Sequence, residues 1–319
     1  MPRQLAGGSP EGPNPGCIMR ITNNIIQREA LRQMQQGSRG ILNAQRQVVS
    51  GLRLEKASDD PAAAAAAMST RAGLRALEQY RRNIELVEAR VQVEEGVLNQ
   101  LGDTLTRARV LGLSAGTGTS GEAQRLAAKA EVDELINFVV QLGNTKVVDE
   151  YIFGGQWTDQ PPFTAAQPDF LRRDGNGDPV EPSGARETEI ANGQYLRVHH
   201  DGREVFLETG ALAALRQLSD ALVSPNPTAA IGQALRDLEG SFNQVQELIG
   251  GLGARANQLE ITRSNLGALE VNLHMLKSNL EEVDLEKAIS ELVNRQTAYQ
   301  AAMLATSRVM GLTLADYLR

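Results

Sequence analysis

The strongest constraint on the fold is an apolar repeat close to the end of the chain. Its members follow one another at alternating spacings of four and three residues, which is the pattern of a coiled-coil seam. A second repeat with the same spacing lies near the start, so we expect both ends to form helices that bury a stripe against a partner. The members are Leu285, Ile289, Leu292, Gln296, Tyr299, Met303, Thr306 and Met310 near the end, and Leu31, Met34, Ser38, Ile41, Gln45, Val48 and Leu52 near the start.

The two seams need a partner, because soluble proteins rarely leave a long apolar stripe exposed unless something binds it. They are expected to pair with each other, with neighbouring subunits, or with both. Polar members such as Gln45 and Gln296 weaken burial but fix the register of the helices, which favours a specified assembly. The predicted assembly interface consists of the apolar members Leu31, Met34, Ile41, Val48, Leu52, Leu285, Ile289, Leu292, Tyr299, Met303 and Met310.

Composition narrows the class of protein further. Aromatic residues make up only 4% of the chain, which suits extended helices better than one large core. The formal net charge is −7 and the basic residues are interspersed with acids, so a nucleic-acid partner is not expected. No apolar run reaches the roughly 20 residues that span a bilayer, and membrane insertion is not expected. The single cysteine, Cys17, excludes an intrachain disulfide.

Residues that start or break helices divide the chain into an N-terminal helical part, an insert and a C-terminal helical part. Residues 1–18 are rich in Gly and Pro and are expected to be a disordered leader, with Met19 as a hypothetical translation start. Ser58 or Asp59 suits an N-cap and Pro61 the first turn, which predicts a long helix that Gly-rich residues 112–121 break. Short alternating runs with many Gly and Pro from 151 to 227 indicate a β-rich insert.

The predicted fold class is mainly α: a long antiparallel helical rod or coiled coil formed by the N- and C-terminal segments, with a small β-rich inserted domain. Residues 1–18 form the leader, which would not be translated if translation starts at Met19. The terminal helical polymerisation core comprises 19–72 and 270–319, the helical rod domain 73–155 and 226–269, and the β-rich insert 156–225.

No pattern predicts a catalytic, cofactor or metal site. Residues 174–178 (DGNGD) resemble the start of a calcium loop, but Pro179 stands where such a loop needs Gly, which favours a plain turn. His199 and His200 would point to opposite faces of a strand and are expected to be solvated or packed. Adjacent Asp59 and Asp60 are expected to cap a helix and not to act as an acid–base pair. The glycines at 250–253 favour a hinge or a point of close packing.

Several motifs in order resemble the bacterial flagellar axial proteins, most closely the branch of hook-associated protein 3. MRITN at 19–23 resembles the start of that family, and SGLRL at 50–54 with SDDPAA at 58–63 resembles the signature shared with flagellins. YIFGG at 151–155 and GLTLADYL at 311–318 resemble the junction branch. The family-motif residues are Ser50, Gly51, Arg53, Ser58, Asp59, Asp60, Pro61, Phe153 and Gly154.

The resemblance implies an exported structural subunit of the flagellum that has no enzyme activity and no cofactor. It implies export by the flagellar type III apparatus without a cleaved signal, an export chaperone, and assembly as an annular layer between hook-associated protein 1 and flagellin. The location would be extracellular, at the hook–filament junction. A flagellin filament subunit is the alternative, although the end of this chain differs from the Ala-, Asn- and Gln-rich ending of flagellins. A signalling coiled coil would need a membrane span and uninterrupted hairpin helices.

Overall fold

A computed structural model of the chain describes residues 15–117, 121–184 and 186–317. Its helices are α1 Pro15–Ser50, α2 Pro61–Ala115, α3 Glu122–Gly143, α4 Ala211–Leu222, α5 Pro227–Glu281 and α6 Leu285–Tyr317. Its strands are β1 Lys146–Val147, β2 Glu150–Tyr151, β3 Arg172–Arg173, β4 Pro179–Val180, β5 Glu187–Ala191 and β6 Gln194–Arg197. A short π-helical segment, Arg203–Glu208, precedes α4. The predicted class, mainly α with small strand pairs between long terminal helices, is confirmed.

The chain divides into two compact units. Unit 1 comprises Met1–Ala72 and His274–Arg319, and unit 2 comprises Gly73–Leu273. Of the predicted leader, residues 1–14 lie outside the described part of the chain, and α1 begins at Pro15. The finer division into a polymerisation core, a rod and an insert remains a prediction.

In unit 1, α1 and α6 pack antiparallel. The backbone N–H of Val283 donates to the Gly51 carbonyl at 2.9 Å, and that of Arg53 donates to the Glu281 carbonyl at 2.7 Å. These bonds fix the register at the end of α1, where Gly51 has a positive φ of 69° and stops the helix. Further along, Gly37 lies against the Tyr299 ring. The antiparallel pairing of the two ends therefore follows from both backbone and side-chain contacts.

The N-cap of α2 corrects the sequence prediction by one residue. Asp60 Oδ1 accepts a hydrogen bond from Ala63 N–H at 3.0 Å and therefore caps the helix, with Pro61 in the first position. Asp59 instead closes the preceding turn, since its Oδ2 accepts from Lys56 N–H at 2.9 Å. Ser58 is exposed and is not the cap. Both aspartates therefore have structural roles: Asp60 caps α2 and Asp59 stabilises the turn before it.

In unit 2, α2 and α5 run antiparallel. Arg81 pairs with Glu270 at 3.0 Å, and further along α2 Arg109 pairs with Glu239 at 3.7 Å. Between these ion pairs lies a continuous apolar core to which α3 and α4 also contribute. Its fully buried members include Val87, Leu98, Leu101, Leu105, Val132, Leu215, Leu218, Val245, Leu252 and Leu259. The helix α2 extends to Ala115, through Gly112, so the break comes later than predicted.

Three antiparallel hairpins occupy the chain between α3 and the π-helical segment: β1 with β2, β3 with β4, and β5 with β6. The turn at 174–178 is the plain turn that was predicted, because Asp174 Oδ1 accepts from the N–H groups of Asn176 at 2.8 Å and Asp178 at 2.9 Å. The insert is less purely β than expected, since it also contains α4.

The YIFGG motif forms a tight turn beside an aromatic cluster. Phe153 is fully buried, and its ring centroid lies 5.2 Å from that of Phe206, which also contacts Phe163. A Cβ on Gly154 would lie 2.3 Å from the Trp157 carbonyl oxygen, so only glycine fits there. The motif residues Phe153 and Gly154 thus have a packing role in unit 2.

The glycines at 250–253 are not a point of close packing, because an added Cβ would meet nothing within 4 Å. The helix α5 continues through them, and a hinge there remains a prediction. We expect alanine at Gly250, Gly251 and Gly253 to raise the free energy of unfolding by about 0.5–1 kcal/mol each, since glycine weakens a helix interior. Chemical denaturation of the triple variant measures this.

A matched substitution in α2 is the control for the alanine variant. At Gly112 an added Cβ would lie 2.8 Å from the Leu235 side chain and 3.1 Å from Leu218, so alanine there is expected to give no gain. A triple variant no more stable than the parent chain would contradict the assignment of open space around the α5 glycines.

Candidate functional site

Two glycines of α1 lie so close to side chains of α6 that a larger residue would not fit without a shift. A Cβ on Gly37 would lie 2.9 Å from the Tyr299 ring, and one on Gly40 would lie 2.7 Å from the Arg295 guanidinium. Ala44 and Ala288 are the buried residues of this face, at 5% and 6% exposure. The sequence analysis did not identify these residues, although small residues at a helix spacing are a signal of close approach.

The predicted seam is only partly covered within the chain. Met34, Ile41, Val48, Leu52, Leu292 and Tyr299 are half-buried. Leu31, Leu285, Ile289 and Met303 remain 59%, 50%, 49% and 45% exposed. Met310 lies among residues whose side chains the structure does not describe. The pairing of α1 with α6 therefore leaves seam residues accessible to another molecule.

Exposed apolar side chains of unit 1 also lie outside the predicted seams. Leu42 and Val49 of α1 are 56% and 82% exposed, and Val293 and Leu304 of α6 are 53% and 64% exposed. Leu42 and Val49 line a groove of about 410 Å³. The exposed apolar residues of unit 1 are therefore not confined to the heptad pattern.

Charged residues hold the connections of unit 1 in place. Arg71 makes two hydrogen bonds of 2.8 Å to the Glu281 carboxylate, and these bonds raise the pKa of Arg71 above its ordinary value. Arg53 donates to the Leu280 carbonyl at 2.9 Å, which gives this family-motif residue a positioning role. Asp284 caps α6 by accepting from Lys287 N–H at 3.2 Å, and this bond lowers the pKa of Asp284.

Unit 2 contains a buried polar cluster that joins three parts of the chain. Glu94 of α2 is fully buried, and its Oε1 accepts from His200 Nδ1 at 2.6 Å and from His200 N–H at 3.1 Å. Arg255 of α5 lies 2.9 Å from His200 Nε2. A guanidinium can only donate, so Nε2 accepts and the proton of a neutral His200 ring is on Nδ1. His200 thus bridges an anion and a cation.

A second set of charges lies beside the first. Arg90 and Arg186 both donate to Glu150 Oε2, at 2.5 Å and 2.8 Å, and the hydrogen bond from Arg90 is the main cause that lowers the pKa of Glu150. His199 is 1% exposed, and its Nδ1 lies 2.8 Å from the His200 carbonyl oxygen. Burial lowers the pKa of His199. Both histidines are packed in the protein interior, one of the two outcomes that the sequence analysis left open.

The described residues provide neither a metal-binding group of side chains nor a membrane-spanning helix. Among the residues that the structure describes, no group of three or more His, Cys, Asp or Glu side chains is placed to hold a metal ion. In the same part of the chain no helix is long and apolar enough to cross a membrane.

Two family models match the chain. The bacterial flagellin N-terminal helical region matches residues 21–158, and the bacterial flagellin C-terminal helical region matches residues 235–318. Together they cover more than two thirds of the chain and include α1, α2, α5 and α6 almost completely. The chain belongs to the flagellin family of flagellar structural proteins.

Relatives extend over nearly the whole chain. Flagellin of Bacillus subtilis (strain 168) is 28% identical, over 90% of this chain and 95% of that protein. Flagellar hook-associated protein 3 of Escherichia coli (strain K12) is 26% identical, over 88% of this chain and 96% of that protein. The crystal structure of the flagellar junction protein from Legionella pneumophila shares the fold, with a TM-score of 0.55 and 14% identity over 68% of this chain and 100% of that chain.

These relatives locate the chain in the bacterial flagellum, in association with other flagellar components. They do not assign a role to individual residues, so the assembly interface and the family-motif positions remain predictions.

Proposed function

We propose that this chain is a structural subunit of the junction between the flagellar hook and the filament. The observation that carries the proposal is the match to hook-associated protein 3 over 88% of this chain and 96% of that protein, together with a fold shared with a flagellar junction protein over that whole chain. The YIFGG turn and the closing residues 311–318 support the junction branch over flagellin. No enzyme activity belongs to this role.

A flagellin filament subunit is the second candidate function. The 28% identity to Bacillus subtilis flagellin over 90% of this chain favours it. Both candidates need the same polymerising ends, so the seams do not separate them. The two roles differ in what the cell loses without the protein: all filaments for a junction subunit, and only the length or number of filaments for a filament subunit.

The proposed assembly uses the uncovered apolar residues of unit 1. Leu285, Ile289 and Met303 of α6 bind neighbouring copies in an annular layer, and so does Leu31 of α1, because pairing within the chain leaves them about half exposed. Residues 19–72 and 270–319 act as the polymerisation core, 73–155 and 226–269 as the helical scaffold, and 156–225 as the insert. Helices with an uncovered stripe are marginal alone and gain stability when a neighbour covers them.

The proposed partners follow from this position. One side of the layer binds hook-associated protein 1 and the other binds the first flagellin subunits, while an export chaperone covers the apolar ends before use. The subunit leaves the cell through the flagellar type III apparatus without a cleaved signal peptide and acts outside the cell. Its net charge of −7 and interspersed basic residues support the absence of a nucleic-acid partner.

A charge placed in the α6 seam tests the assembly surface. We expect Ile289→Glu to fold normally, because this side chain is 49% exposed, but to block incorporation into flagella, since the carboxylate would be buried against the neighbouring copy. Electron microscopy of flagella and circular dichroism of the purified chain measure the two effects in a strain that carries only the variant.

The control places the same charge on the next residue of the helix, Ser290→Glu, which is also exposed but lies outside the seam. This variant is expected to assemble. Normal flagella with Ile289→Glu, or equal losses with both variants, would exclude the seam as the interface.

A further inference from the structure

The insert is attached to the long helices of unit 2 through a short segment that contains two histidines. Residues 198–202 follow β6 and are all buried. From this segment His200 contacts both Glu94 of α2 and Arg255 of α5. The Gly202 N–H donates to the Phe153 carbonyl at 3.0 Å and joins the segment to the aromatic cluster. Separation of the insert from α2 and α5 would expose all of these groups.

The hydrogen bonds of His200 specify an uncharged ring. Its Nδ1–H donates to Glu94 Oε1, and its Nε2 accepts from the Arg255 guanidinium. Both ring nitrogens of His200 are therefore used in the closed arrangement, one towards α2 and the other towards α5.

His199 is also uncharged in the closed arrangement. Its Nδ1–H donates to the His200 carbonyl, since a carbonyl oxygen can only accept. Its Nε2 is buried and has no hydrogen-bond partner among the described residues. A proton added at Nε2 would place a cation in the protein interior without an acceptor, near Arg90 and Arg186. Uptake of that proton requires the segment to open.

The charged groups near the two histidine rings come from several elements of unit 2. Arg90 and Glu94 belong to α2, Arg255 to α5, Glu150 to β2, and Arg186 lies just before β5. Arg197, Asp201 and Glu204 form an adjoining set of ion pairs in the insert. Burial is the main cause that lowers the pKa of His199; Arg90 and Arg186 lower it further, and Glu94 raises it.

We propose that residues 198–202 form a latch, in which His200 holds the insert against α2 and α5 near neutral pH and proton uptake by His199 releases it in acid. Because burial lowers the pKa of His199, the open form binds its proton more readily than the closed form. Acidification below the ordinary histidine pKa of about 6.5 therefore favours opening, by at most about tenfold per pH unit for each proton taken up. Only one other histidine, His274, is present in the chain.

Hydrogen exchange of the purified full-length chain tests the latch. Exchange rates of amides in 187–210, corrected for the intrinsic effect of pH, are compared at pH 7.5 and pH 5.5. We expect protection of this segment to fall several-fold at the lower pH, within the limit of about tenfold per pH unit for each proton. Equal corrected protection at both pH values would overturn the proposal.

Histidine variants identify the groups responsible. His199→Asn keeps a side-chain N–H donor but cannot titrate, and it is expected to lose part of the pH response. His274→Gln removes the exposed histidine and is expected to keep all of it. A full response in His199→Asn, or a response lost in His274→Gln, would refute the assignment.

The protonation of the histidine rings can also be measured on the unmodified chain, which does not depend on the folding of a variant. Nitrogen-15 histidine NMR at pH 7.5 reports which ring nitrogen carries the proton. We expect two neutral rings with the proton on Nδ1. A charged ring, or a proton on Nε2, for either buried histidine would contradict the latch.

Discussion

Replacing His200 with leucine is expected to lower the free energy of unfolding of unit 2 by about 3–5 kcal/mol. The substitution removes the ring that accepts from Arg255 and donates to Glu94, and it leaves a fully buried carboxylate and a half-buried guanidinium without their partner. Glu94 is fully buried, so water cannot replace the lost hydrogen bonds without opening the structure. Denaturant unfolding followed by circular dichroism and by the fluorescence of Trp157 measures the loss.

The same substitution at the exposed His274 is the matched control and is expected to change the free energy of unfolding by less than about 0.5 kcal/mol. A triple variant, Glu94→Leu, His200→Leu and Arg255→Met, removes every charge of the cluster and is expected to recover most of the stability. His200→Leu with wild-type stability would show that the cluster does not hold the insert.

The terminal helices could be predicted because their signal is local, whereas the choice between pairing within the chain and pairing with neighbours stayed open. Seam residues such as Ile41 and Leu292 recur with the period of a helix, and this period alone identifies α1 and α6. The close contact of Gly37 with the Tyr299 ring could not be predicted, because it depends on the register between the two helices.

The N-cap of α2 could be predicted only to within three residues. Each of Ser58, Asp59 and Asp60 suits that position by residue type, and only the structure identifies Asp60 as the cap.

The polar cluster of unit 2 could not be predicted from the sequence. Its members are far apart along the chain, since Glu94 and His200 are separated by 106 positions and His200 and Arg255 by 55. A lone Glu in an amphipathic helix has the same appearance whether it faces solvent or a buried histidine. The adjacent histidines by themselves indicated solvation or packing. Their hydrogen-bond roles depend on partners from two distant helices, which the sequence does not identify.

Loss of this protein is expected to leave cells with hooks but without filaments. If the chain forms the layer on which the filament grows, flagellin subunits that leave the cell find no surface on which to polymerise. They should then accumulate in the medium as monomers. Removal of residues 285–319 alone is expected to have the same effect while unit 2 stays folded, because none of the described core residues of unit 2 belongs to α6.

Electron microscopy of a strain that lacks the gene tests the central claim most directly, with the medium assayed for flagellin and the intact gene restored as the control. The junction role predicts full-length hooks that end without filaments, flagellin in the medium, and recovery of filaments on restoration. Filaments that are present but shortened or fewer would contradict that role and assign the chain to the filament itself.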